Sequence, residues 1–179
     1  MFKKIARLSF LRPGQKLCEA AHDGNTNRVQ ELLAKGANPN TQNSAPLLSA
    51  ASHGHVDIVQ ALLDAGASAH ANNNHALEEA AHHGHVDVVR VLLQYGANAT
   101  ANDSLALRLA AEKGHLAVVQ TLLTHGADPK AHNSQALRAA ATYGRTECVR
   151  LLIPVSDPKV NDSIALRWAA KNGHAECVR

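Results

Sequence analysis

Apolar positions along the chain fall into two short patterns that alternate. In the first, Ala136, Leu137, Ala140 and Ala141 share one stripe of a helix running from about 135 to 142. Its side chains are mostly alanine, so a neighbouring backbone can pack close against it. In the second, Val86, Val88, Val89, Leu92 and Leu93 define a bulkier helical stripe. Polar residues punctuate the two. Ser44, Ser104, Ser134 and Ser163, with Asn74 in the same place, precede the first pattern and predict helix N-caps. Gly84 and Gly114 follow it and predict left-handed C-caps. The second helix closes at Gly36, Gly66, Gly96 or Gly126, and a polar segment such as residues 97–103 predicts an extended link to the next pair.

The alternation has a fixed period. Gly24, Gly54, Gly84, Gly114, Gly144 and Gly173 are 30, 30, 30, 30 and 29 residues apart. Around them one frame recurs, from Leu47-Leu-Ser-Ala-Ala-Ser-His-Gly54-His to Leu166-Arg-Trp-Ala-Ala-Lys-Asn-Gly173-His, and about 160 of the 179 residues fall inside such units. One helical hairpin cannot bury its apolar face alone, but stacked copies bury each other's. The pattern therefore predicts an all-α solenoid of helix-turn-helix units with short turn-like links.

The frame Ala-Leu-x-x-Ala-Ala-x-x-Gly-His, followed by Val-Val-x-x-Leu-Leu-x-x-Gly-Ala-Asp/Asn, resembles the ankyrin repeat over five full units and part of a sixth. Two departures stand out. The usual period is about 33, and the three missing residues fall between Gly66 and Ala76 and their equivalents, in the link that in the family forms a projecting β-hairpin finger; short fingers are expected. The Thr-Pro-Leu-His helix start is also absent: only Pro46 keeps the proline, and the histidine position holds Leu48, Glu78, Arg108, Arg138 and Arg167. The resemblance implies a domain spanning 15–179, preceded by an arm over 1–14. In the fifth unit, Leu152-Ile-Pro-Val-Ser-Asp-Pro loses a residue and its glycine, and Pro154 should end the helix early. The sixth unit reaches Arg179 halfway through its second helix, which would leave Ala169, Cys177 and Val178 uncovered and suggests a truncated array.

Composition narrows the function. The chain is 45% hydrophobic but only 3% aromatic, which argues against a large aromatic-lined cofactor pocket, and no cofactor is expected. No apolar run approaches the roughly 20 residues of a membrane span. Residues 1–16 lack the apolar core and cleavage site of a secretory signal. Three scattered cysteines, Cys18, Cys148 and Cys177, form neither a disulfide framework nor a CxxC clip, which fits a reducing compartment: cytoplasmic, or a host cytosol after delivery. Charge is unevenly spread. The formal net charge of +3 divides into +5 over residues 1–16, −6 over 17–103 and +4 over 104–179. Such a folded part is a poor match to duplex nucleic acid, whose binders concentrate basic surface. The arm, with Phe2, Ile5 and Leu8 interleaved with Lys3, Lys4 and Arg7, reads as a short amphipathic helix covering the first unit; weak contact with a membrane surface by residues 1–12 is the alternative.

Of the twelve histidines, His55, His85, His115 and His174 hold the Gly-His position of the frame and are expected to be structural. His75, Glu78, Glu79 and His82 share a helical face at spacings compatible with zinc, but in no established ligand order, so no metal site is expected. Cys148 and Cys177 fall on a core-facing position. No phosphate loop, nucleophile elbow or nucleophile–base pair stands outside the frame, and no enzyme is expected.

Recognition is the remaining task. By the family resemblance, the variable pair before Gly-His lies on the concave, partner-facing side: Ser52/His53, His82/His83, Glu112/Lys113, Thr142/Tyr143 and Lys171/Asn172. Arg108, Arg138 and Arg167 form a basic ladder whose guanidinium groups either pair with loop groups such as Asp103 and Asp162 or face a partner's carboxylates. Trp168 either anchors an interface or packs under the end of the stack. The partner-binding set is therefore His53, His82, His83, Arg108, Lys113, Arg138, Tyr143, Arg167 and Trp168. The expected function is a monomeric, non-enzymatic module that binds a protein partner, not a small-molecule substrate. The alternative is the targeting fragment of a larger protein, such as a bacterial effector, whose catalytic domain lies elsewhere.

Overall fold

Each repeat of the sequence builds one helical hairpin. The computed structural model describes residues 12–156, 167 and 169–177. The first pattern forms α1 (Pro13–His22), α3 (Thr41–Ser52), α5 (Ala71–His83), α7 (Ala101–Lys113) and α9 (Ala131–Thr142). The second forms α2 (Thr26–Ala34), α4 (Val56–Asp64), α6 (Val86–Gln94), α8 (Leu116–Thr124) and α10 (Thr146–Leu152). Helices of the first kind stack on one another through the chain, helices of the second kind do the same, and each pair packs internally. Among the described residues there is no strand.

The core is a set of columns running along the stack. Leu17, Leu47, Leu77, Leu107 and Leu137 are buried at the same place in successive units, as are Val29, Val59, Val89, Val119 and Val149. Alanine pairs such as Ala50/Ala51 and Ala80/Ala81 lie wholly buried between neighbouring first helices. Each leucine taken from water contributes about 1.5–3 kcal/mol, and it does so against the next unit as well as its own.

The links are not extended. In each of the four, three consecutive residues are wound left-handed: Gln42–Ser44, Asn72–Asn74, Asn102–Ser104 and His132–Ser134, with φ between 47° and 68°. Asn, Asp, His, Ser and Gln occupy these positions, and no β-branched residue does; short polar side chains tolerate this region best. An extended stretch would advance about 3.3 Å per residue; a wound one advances far less, which suits a repeat three residues shorter than usual. The next unit holds the turn in place. Asn72 Nδ2 donates to the Asn43 carbonyl at 2.8 Å, Asn102 Nδ2 reaches the Asn73 carbonyl at 3.5 Å, and Asn73 donates to Asn102 Oδ1.

The residues expected as N-caps have a different task. Asn74 Oδ1 accepts the backbone N–H of Asn98 at 2.7 Å and Ser104 Oγ that of Asp128 at 2.8 Å. In the earliest link Asn40 Oδ1 takes over, accepting from the Ser68 N–H at 2.9 Å and from Ser44 Oγ at 3.0 Å. These polar groups, of which Asn74 and Ser104 are buried, satisfy donors 24 to 28 residues ahead, not the first turn of their own helix. Pro46 is tolerated because the right-handed helix starts just before it, where a proline forfeits no helical hydrogen bond.

The ends follow the sequence in part. Pro13–Gly14, which the sequence places at the end of the arm, opens α1, where the Gln15 side chain accepts from the Arg12 backbone N–H at 3.0 Å. The remainder of the arm, including Phe2, Ile5 and Leu8, lies outside the described residues. Pro154 ends α10 after seven residues, where α4, α6 and α8 have nine, and Ile153–Val155 tightens into a 3-10 turn. The expectation that Ala169 and Cys177 lie uncovered does not hold: both are buried, and Cys177 Sγ sits 3.4 Å from Thr146 Oγ1 of the preceding unit. Val178 lies outside the described residues.

Candidate functional site

The junctions between units are locked by the Gly-His position. Gly84 adopts φ 81°, and a β-carbon there would lie 2.6 Å from the ring of His115 in the next unit. Gly54 and Gly144 stand equally close to His85 and His174, at 2.7 Å. Each ring that covers a glycine also donates Nε2–H to a carbonyl of the unit before it: His85 to Ser52 at 3.1 Å, His115 to His82 at 3.1 Å and His174 to Thr142 at 3.0 Å. Arg145 substitutes at one junction, its side chain lying over Gly114 and its Nε donating to the Glu112 carbonyl at 3.0 Å. The recurring histidines are therefore fastenings. Burial lowers the pKa of His115 below the ordinary imidazole value, its hydrogen bond to the His82 carbonyl opposes the shift, and the charges of His82, Arg145 and His85 add to it.

The same lock aims the pair that precedes it. In the first four pairs the leading residue is half-buried and the second exposed: Ser52/His53, His82/His83, Glu112/Lys113 and Thr142/Tyr143. In the first half this row is built of imidazoles. His22 meets His53 edge-on at 4.5 Å between ring centroids, and His53 stacks on His55 at 5.9 Å. His82 meets His83 edge-on at 4.9 Å, and His83 stacks on His85 at 6.0 Å. His53 Nδ1 lies 2.8 Å from the Ser49 carbonyl of its own helix.

The acidic residues of α5 do not form the open face the sequence suggests. Glu78 is buried between units; it accepts from Asn102 Nδ2 and lies 3.2 Å from His75 Nδ1. Glu79 faces His83 at 3.5 Å, and His82 takes no part. Among the described residues no group of histidine, cysteine and carboxylate side chains is placed to hold a metal ion.

In the second half the row turns basic. Arg108 pairs with Glu112 on its own helix at 3.4 Å, and Lys113 approaches the other Glu112 oxygen at 3.5 Å. Asp103, expected as a partner for the arginine ladder, lies 2.8 Å from His132 Nε2 instead. Arg138 is half-buried, and its guanidinium makes no hydrogen bond or ion pair with any described residue. Tyr143 is 52% exposed. Arg108, Glu112, Gln135, Arg138, Thr142 and Tyr143 line one shallow groove of about 260 Å³ between α7 and α9. Arg167 is exposed on the sixth unit; Trp168, Asp162 and Ser163 lie outside the described residues. Sequence reasoning passed over Gln135, His22 and Arg145, although an arginine in a histidine frame was itself a signal. Cys148 is buried and Cys18 half-buried, and burial pushes both thiols above their ordinary pKa.

Paired helices, close-set glycines and polar links repeated along one axis define a helical-repeat solenoid. The chain belongs to the ankyrin-repeat family: the family described as ankyrin repeats (3 copies) matches residues 17–103 and 105–179. Compared with curated proteins, the chain finds no significant match. Its general role is that of the ankyrin fold, protein–protein interaction. Among the described residues no helix is long and apolar enough to cross a membrane.

Proposed function

We propose that this protein binds a protein partner across the face formed by its first helices, through His53, His82, His83, Arg108, Lys113, Arg138, Tyr143 and Arg167, with Trp168 added from the sequence. The observation that carries this reading is the regular exposure of the second residue of each pair, on helices whose alanine and leucine stripes are buried. Alanine pairs also let the first helices approach one another closely, which supports a stack curved toward this face. The links, short and hydrogen-bonded to each other, offer little projecting surface, so recognition rests on the helices. The domain begins near residue 15, acts as a monomer, and suits a reducing compartment, since its cysteines are free thiols with two of them buried.

The test is an affinity pull-down from native lysate, comparing the wild type with a His53/His83/Tyr143→Ala triple variant of matching melting curve. A protein retained by the wild type and lost by the variant supports the assignment; identical retained sets remove it. For any partner so found, Asn73→Ala or Asp103→Ala should matter less than His83→Ala or Tyr143→Ala. Replacing Arg108, Arg138 and Arg167 with Glu should slow association, an effect that salt reproduces.

A further inference from the structure

We propose that the groove between α7 and α9 receives a single Asp or Glu side chain from an acidic peptide segment; this rests on the reading of the first-helix face given above and names its partner chemistry. The groove already contains one carboxylate, Glu112, and that carboxylate is engaged by Arg108 and Lys113. Arg138 makes no ion pair with any described residue. A guanidinium carries five N–H donors in a planar fork and no acceptor, and partial burial without a counter-charge is unfavourable for it. A carboxylate matches that fork in two parallel hydrogen bonds.

The surrounding groups fit a peptide. Gln135 offers an amide able to donate to and accept from a main chain. Thr142 Oγ1 spends its proton on the Arg138 carbonyl at 2.8 Å, which leaves it only acceptor capacity. Tyr143 supplies an exposed ring, the kind of side chain that anchors interfaces. Arg145, tied to the Glu112 carbonyl, adds a further cation at the same junction. Among the described residues lining the groove, Glu112 is thus the one carboxylate beside these cations.

Size and charge select among occupants. A shallow space of about 260 Å³ has room for an acidic side chain. A nucleic acid strand following the stack would leave this groove for residues 17–103, which carry −6. A peptide that crosses the stack at one junction meets only the basic part.

The experiment selects a displayed library of random 12-residue peptides on the full chain at 150 mM salt. The expected result is enrichment of peptides with Asp or Glu at one fixed position beside an apolar residue. For a synthetic peptide of that consensus, Arg138→Gln should weaken binding about tenfold or more, Arg138→Lys less, and Arg150→Gln, on α10 and paired with Glu147, less than twofold. Changing the peptide's acid to its amide should cost the wild type as much as Arg138→Gln does and cost that variant almost nothing further. Melting curves matching the wild type establish that the variants are folded.

Peptides without a fixed acid, equal binding to Arg138→Gln, or an empty selection would overturn the proposal. Peptides that lack an acid yet are released by His53→Ala or His83→Ala would sink the groove assignment and leave the first-helix reading standing; insensitivity to every first-helix substitution would remove both. A 20-nucleotide single strand bound more tightly than any peptide, and lost with Arg138→Gln, would assign the groove to phosphate instead.

Discussion

His115 shows how one residue joins two units and makes their union depend on pH. Its ring lies over Gly84 and its Nε2–H is held by the His82 carbonyl, so the folded state favours the neutral imidazole. With the folded pKa below 6.5, the unfolded chain binds more protons just beneath that value. Stability contributed by this residue is therefore full above pH 6.5 and is lost as pH falls through 6.5 toward the folded pKa. Arg145 fills the equivalent place at the next junction. Urea unfolding of the wild type and a His115→Arg variant at pH 7.5 and pH 5 should show a smaller acid loss for the variant; an identical loss would mean that the ring is not held neutral. At the surface the strongest local ion pairing is of a different kind. Glu31, bonded to Lys35 and Arg28 on α2, has its carboxyl pKa lowered to about 2, but all three groups are solvated and such pairs contribute little.

Among the elements, the left-handed turns are where this short repeat departs furthest from what its sequence suggests. A polar link such as residues 97–103 reads naturally as extended chain, and the Ser or Asn before each helix reads naturally as a cap. What sequence cannot show is that Asn74 and Ser104 point away from their own helix toward the link 24 residues on. The recurrence of Ser or Asn at 44, 74, 104 and 134 was legible; its purpose depends on the stacking distance. Asn74→Gly separates the two roles, since glycine keeps the left-handed backbone and removes the acceptor. The Asn98 N–H is then unpartnered at the junction, and the variant should lose about 1–3 kcal/mol in chemical denaturation. A variant as stable as the wild type would show that the hydrogen bond contributes nothing net.

For the whole molecule, stability is close to a sum over units and the interfaces between them. The middle units are covered on both sides by nine-residue outer helices and by complete leucine and valine columns. The fifth unit has a shorter α10 followed by a tight turn with Ile153 and Val155 partly exposed. Opening should therefore begin at the C-terminal end. Hydrogen exchange read by mass spectrometry should find the amides of α9 and α10 exchanging faster than those of α5 and α6. Uniform protection along the chain would instead mean that the stack opens only as one body. The charge division belongs to this scale too, because −6 over residues 17–103 and +4 over 104–179 give the two halves of the chain opposite net charge.

Sequence alone determined the unit, its period, its helices and its core, because each of those follows from short-range spacing: a stripe at three and four positions, a glycine where the chain turns left-handed, and thirty residues before the same need returns. It also marked the variable pair of each unit, through the resemblance to the ankyrin frame. Tertiary structure alone decided how neighbours meet. Whether Asp103 meets the arginines or His132, whether Glu78 lies open or between helices, and whether Ala169 is bare or covered are all set by distances between residues of neighbouring units. Those distances exist only once the units are stacked, and no local spacing encodes them.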